Sequence, residues 1–184
     1  MEFEKGKVTV LAGSSGSGKT TLLKVIAGTE KSEKGQVLGL EGENIAVVFQ
    51  EDRLLEWLNV YENISYVLKS YMQKEKMDNV IRRVLEMVEL WEYKEYKIKD
   101  LSGGMQRRVA IARAVAYKHS VLLMDEPFKG LDNELKDRIM TRLKKAWKEE
   151  GRTVIMITHN QEEIEFLGDC VYKLEQKPVK YYKI

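Results

Sequence analysis
Two hydrophobic periods alternate along the chain. Short, almost unbroken apolar runs at 8–12, 45–49, 121–124 and 153–158 read as strands buried on both faces, each followed by glycine, polar or acidic residues. Between them the spacing turns helical. A first helix is predicted over 20–27, and a polar, glycine-bearing stretch over 28–42 separates it from the next strand. From about 59 to 90, Ile64, Val67, Leu68 and Tyr71 form one stripe, and Val80, Ile81, Val84, Leu85 and Val88 form another. Asn59 and Glu62 have the spacing of a capping box, and Asp78 is a candidate cap for the second of these helices. Met105, Val109, Ala112 and Ala116 mark a further helix, and Leu135, Ile139, Leu143 and Ala146 an amphipathic one. A short helix and strands are expected from His159 to Ile184. Strands alternating with helices predict an α/β fold with a mainly parallel sheet covered on both faces. The helical stretch after residue 50 interrupts that alternation as an insertion.

Composition narrows the class. With 43% hydrophobic and 33% charged residues, the 184-residue chain can bury one core and keep a solvated surface. The formal net charge is +2, with lysines and glutamates mixed, so the footprint of strong nucleic-acid binding is missing. The single cysteine, Cys170, cannot form an intrachain disulfide and is expected to be an inert structural thiol in a reducing compartment. No apolar stretch is long enough to span a bilayer, and Met1-Glu2-Phe3-Glu4-Lys5 does not read as a signal peptide. Membrane association is therefore expected to run through a partner.

The chemistry is carried by two strand ends. After the first strand comes Gly13-Ser14-Ser15-Gly16-Ser17-Gly18-Lys19-Thr20, which satisfies G-x-x-x-x-G-K-[ST] between a strand and a helix. Its glycines let successive backbone N–H groups converge on phosphate oxygens, and the helix adds its positive end. Lys19 is expected on the β- and γ-phosphates and the Thr20 hydroxyl on Mg²⁺, with the binding stretch running on to Thr21. The run 121–124 ends in Asp125-Glu126-Pro127. Alone, it could be a solvated acidic turn. Beside a phosphate loop, Asp125 suits Mg²⁺, and Glu126 suits the general base for an attacking water. Ser102, opening the helix that carries Met105, is a good N-cap, leaving a helix N-terminus aimed at an anion.

With Leu101-Ser102-Gly103-Gly104-Met105-Gln106 between these elements, the chain resembles an ATP-binding cassette (ABC) ATPase over nearly its whole length. The resemblance implies a phosphate-loop NTPase core of RecA-like type, at about 1–50 and 112–184. The helical subdomain, about 51–111, would carry the signature motif at its end. It further implies that Ser102 and Gly104, within the motif that includes Gly103 and Gln106, meet the γ-phosphate of ATP bound to a second, head-to-tail subunit. Gln50 resembles the glutamine that touches Mg²⁺ or the water, His159 the histidine on the γ-phosphate, and Asp132 the loop aspartate crossing the dimer interface. The stretch 49–58 is similar to its counterpart in nitrate, sulfonate and taurine importers, although Glu56 stands where those often have proline. Leu54, Leu55 and Trp57 would then line the groove for a permease's cytoplasmic helix, or pack within the helical subdomain.

Only twelve residues precede Gly13, fewer than in most members. Phe3 lies too close to the loop to be assigned the adenine-stacking role. The function expected is ATP hydrolysis in a transporter, at the cytoplasmic face of a membrane, with a permease and indirectly a solute-binding protein as partners. The competing expectation is a soluble ABC ATPase serving as an assembly or mechanical module. A scaffold that binds ATP without hydrolysing it is a weaker third.

Overall fold
The computed structural model describes residues 1–175 and 180–183. Along the chain run β1 (Val8–Gly13), α1 (Lys19–Ile26), β2 (Ile45–Val48), α2 (Val60–Leu68), α3 (Lys74–Met87), α4 (Gly103–Ala116), β3 (Val121–Asp125), α5 (Asn133–Glu150), β4 (Thr153–Ile157), α6 (Gln161–Leu167), β5 (Cys170–Glu175) and β6 (Lys180–Lys183). The chain divides into two compact units. The first holds 1–50, 119–127 and 144–184; the second holds 51–118 and 128–143. The helical unit thus runs past residue 111, because α4 continues unbroken to Ala116, and it also takes in the first part of α5.

In the first unit the sheet order is β2-β3-β4-β1-β5-β6, parallel throughout except for β6, which pairs antiparallel with β5. Every residue of β3 and β4 is buried, which explains their unbroken apolar sequences. Leu11, Leu123, Ile155, Ile157 and Tyr172 pack with Leu23 and Ile26 of α1 on one face. The alternate residues Val10, Leu122, Met124, Val154 and Met156 are fully buried as well. Each such side chain contributes about 1.5–3 kcal/mol relative to exposure, enough to fix the register of the strands. Cys170 is buried on β5. Phe3 sits edge-on to Tyr172 at 6.2 Å between ring centroids, so this N-terminal aromatic packs against the core.

In the second unit α2, α3 and α4 pack on one another through Ile64, Leu68, Ile81, Val84, Leu85, Val109 and Ile111. Asn59 and Glu62 form a complete capping box: Asn59 Oδ1 accepts the Glu62 N–H at 2.7 Å, and Glu62 Oε2 accepts the Asn59 N–H at 2.8 Å. Asp78 is no cap. The strong helix formers Lys74, Glu75 and Lys76 extend α3 a turn upstream to a start at Gln73, and Asp78, now inside the helix, accepts the Tyr61 hydroxyl. Tyr71 leaves its stripe too, lying beyond α2, 41% exposed, edge-on to Tyr117.

After α3, Glu89 adopts a left-handed backbone (φ 56°) and meets Arg138 through two bonds of 2.9 and 3.0 Å, with Arg142 at 3.0 Å. The hydrogen bond from Arg138 holds the Glu89 carboxyl below its ordinary value of 4.5, with burial opposing. A lowered folded value means stabilisation that is present above the unfolded value and lost as pH falls through the folded one. Because the pair is partly solvated, Glu89→Gln should cost no more than about 1 kcal/mol at neutral pH. Urea unfolding should show that cost shrinking in acid; equal costs in acid and at neutrality would refute it.

Candidate active site
The parallel register sets the carboxyl ends of β1, β2, β3 and β4 in one row. Val48 pairs with Met124, Asp125 with Ile157, and Leu11 with Ile157, so the chain leaving each strand delivers Gln50, Glu126, His159 and the loop after Gly13 to the same edge of the sheet. Ligands of such sheets bind at that edge.

The loop from Gly13 is shaped by its backbone. Gly13 (φ 141°) lies so close to β5 that a Cβ there would fall 2.2 Å from the Leu174 carbonyl oxygen, and Gly18 (φ 87°) turns the chain into α1. Ser14, Ser15 and Gly16 are exposed on the turn, Ser17 is buried, and Thr21 faces outward on α1. Lys19 Nζ sits at the centre, donating to Gly13 O (2.9 Å), Ser14 O (2.8 Å) and Ser17 Oγ (3.2 Å). Burial lowers its pKa, while the charges of Glu126 and Asp125 act to raise it. An ammonium partly withdrawn from water, in a glycine-bearing loop at a helix start, fits a polyphosphate.

Thr20 Oγ1 donates to Asp125 Oδ2 at 2.8 Å, joining helix α1 to the end of β3. Asp125 is 3% exposed. A hydroxyl and a carboxylate meeting beside a phosphate loop form a hard-oxygen donor set suited to Mg²⁺, a cation that keeps several waters of its own. The next residue, Glu126, has φ 46°, a conformation that costs a side-chain-bearing residue on the order of 1–3 kcal/mol. Its N–H is held by Ile157 O at 2.9 Å. The turn swings its carboxylate away from the strand to His159, whose Nδ1 lies 3.0 Å from Glu126 Oε1. With the carboxylate ionised, Nδ1 carries the proton and donates. Gln50 is exposed at the end of β2. Thus the loop, Asp125, Glu126 and His159 are joined by direct contacts or shared charge, and Gln50 shares their edge.

The remaining sequence-derived positions lie in the second unit. Ser102 caps α4, its Oγ accepting the Met105 N–H at 3.3 Å, which leaves the Gly103 and Gly104 amides at an open helix start. Gly104 faces the loop that holds Asp132: a Cβ at 104 would lie 3.4 Å from Gly130 O and 3.6 Å from Leu131 Cδ2. Asp132 Oδ1 accepts the Leu135 N–H at 3.2 Å at the start of α5. Gln106 turns inward, donating to Ile98 O and Leu101 O, both at 3.1 Å, so its amide shapes the turn ahead of Ser102.

Other ties escaped the sequence. Asn63, fully buried in α2, holds Leu55 by both its amide and carbonyl (2.9 and 3.1 Å), and Arg113 of α4 binds the carbonyls of Asp52 and Arg53 at 3.0 and 2.9 Å. Arg107, also buried, meets Asp52 at 2.9 Å. The only hint was polar residues lying among apolar ones in two helices. These ties fix the stretch after Gln50 with Leu54 and Leu55 half-buried and Trp57 72% exposed.

Comparison with known proteins follows the same lines. The sequence pattern of one family, described as ABC transporter, matches residues 1–129. The chain is 36% identical over 192 aligned residues to the taurine import ATP-binding protein TauB of Roseobacter denitrificans, covering all of this chain and 71% of that protein. It is 38% identical over 187 residues to the nitrate import ATP-binding protein NrtD of a Synechocystis species, covering 97% and 70%. Its fold matches the dimeric structure of a post-hydrolysis state of the ATP-binding cassette MJ0796 bound to ADP and Pi, with a TM-score of 0.85, 31% identity, and coverage of 95% of this chain and 84% of that one. Among the described residues no helix is long and apolar enough to cross a membrane.

Proposed function
The chain belongs to the ABC transporter family, and from that membership we propose that it is the ATP-hydrolysing subunit of an importer, working as a head-to-tail pair beneath a membrane permease. The observation that carries the reading is the single row of strand ends on which a phosphate loop, a Thr20–Asp125 pair and a Glu126–His159 pair converge. Lys19 and the loop amides bind the triphosphate. Thr20 and Asp125, with Gln50, would hold Mg²⁺, which when bound would supply positive charge to offset that of the triphosphate. Glu126 accepts the proton of the attacking water, and His159 orients that carboxylate and contacts the γ-phosphate side.

Ser102 and Gly104 supply a helix start to the triphosphate of a second copy, and Asp132 lies at the junction of the two. The packing of Gly104 against the Gly130 carbonyl supports treating these two loops as one surface. Exposed Trp57, beside half-buried Leu54 and Leu55, is the docking point for the permease, and a solute-binding protein completes the importer on the far side. The importer reading draws support from the names of the taurine and nitrate relatives.

The test is coupling. Purified with a multi-helix permease that it binds on co-expression and placed in proteoliposomes, the chain should hydrolyse ATP faster than alone, and Trp57→Ala should lose that stimulation while keeping basal turnover. ATP turnover indifferent to any such protein would favour the soluble-module reading.

A further inference from the structure
His159 stands between two anchored neighbours. Thr158, which is 3% exposed, donates its hydroxyl to Glu163 Oε2 at 2.5 Å and accepts the Asn160 N–H at 3.1 Å. Asn160 caps α6, its Oδ1 accepting the Glu163 N–H at 3.2 Å and its carbonyl the Ile164 N–H at 3.1 Å. Glu163 is itself only 5% exposed. The residues before and after His159 are therefore both tied to Glu163, Thr158 through its carboxylate and Asn160 through its backbone N–H, while the imidazole is 69% exposed and touches Glu126 at 3.0 Å. A carboxyl group is costly to bury and has to be held by hydrogen bonds; here one of them goes to the Thr158 hydroxyl, which in turn accepts the Asn160 N–H, so the bond bears on the path of the backbone at 158–160. An exposed ring has little packing of its own, so its aim depends on that backbone.

We infer that Glu163 is a positioning residue for hydrolysis: through its bond to the Thr158 hydroxyl it fixes the direction of the His159 ring, and so the orientation of Glu126. The inference rests on the proposed role of His159. It assigns to Glu163 no contact with nucleotide. A short bond to Thr158 is directional, and losing it would let the ring swing by a fraction of its own width, a displacement that can cost up to about 10²-fold in rate.

The experiment is a double-mutant cycle on the full chain, reading kcat and KM for ATP. Glu163→Leu should lower kcat by about 10- to 10²-fold with KM for ATP little changed, and Glu163→Gln, which still offers Thr158 an acceptor, should restore most of the loss. Thr158→Val, nearly isosteric, cuts the same bond from its other end. It should reproduce the loss even where Glu163→Leu fails to fold. In a His159→Ala background neither Glu163→Leu nor Thr158→Val should slow turnover further, because the ring they position is gone. Losses that multiply in the double variant would mark Glu163 as merely structural and overturn the inference, as would wild-type kcat in both single variants. Wild-type turnover in His159→Ala alone would overturn the role of His159 and this inference with it.

Discussion

Glu126→Gln should leave ATP binding unchanged and slow turnover by about 10²- to 10⁴-fold, the range for losing a general base. The substitution is nearly isosteric and keeps an oxygen to accept from His159 Nδ1, so the turn at φ 46° and the 3.0 Å contact have every reason to survive. What it removes is the ability to take a proton from water. Lys19 loses a neighbouring negative charge that raises its pKa, but its three bonds to the loop do not involve Glu126. Steady-state ATPase assays and nucleotide titration separate the two effects. With chemistry blocked, ATP should also hold two copies together, visible as a dimer in size-exclusion chromatography. Wild-type turnover would remove Glu126 from the reaction, and a monomer at saturating ATP would remove the second copy from the site.

Gly104→Asp should abolish that dimer. Position 104 is in the first turn of α4, where a carboxylate favours the helix, so the variant should fold at least as well as the parent. Its Cβ would come within ordinary contact of Gly130 O and Leu131 Cδ2, which the neighbouring loop tolerates. The cost falls elsewhere. A negative charge brought to about 4 Å from a partner-bound phosphate is worth about 4 kcal/mol of repulsion at a surface-like dielectric, enough for roughly 10³-fold in association. Introduced into the Glu126→Gln background, it should give a protein that binds ATP as a monomer. A stable ATP dimer of the double variant would place the signature helix away from the phosphates.

These expectations stand on features that differ in how openly the chain displays them. The strands β1, β3 and β4 were legible because burial on both faces leaves uninterrupted apolar runs, and each run leads into residues to which a role in the site is assigned. The capping box at Asn59 was legible because it is local. Asp78 misled because a cap residue and a mid-helix acid look alike, and the helix-forming strength of Lys74-Glu75-Lys76 decided the boundary. The inward turn of Gln106, the grip of Arg113 on the Asp52 and Arg53 carbonyls, and the bond from Thr20 to Asp125 could not be read from periodicity. They join residues whose approach depends on how α4 and the strands are packed, and periodicity reports which face is buried but not which atom meets which. The strand order, with β1 between β4 and β5, is hidden for the same reason.

The left-handed corner at Glu126 has a further consequence. Glu126, the residue proposed to abstract the proton, occupies backbone torsions that glycine adopts without penalty, so the fold would relax if that side chain were given up. Selection for heat resistance alone would therefore push this corner toward glycine, and on the proposed role of Glu126 that gain in durability would come with a loss of turnover.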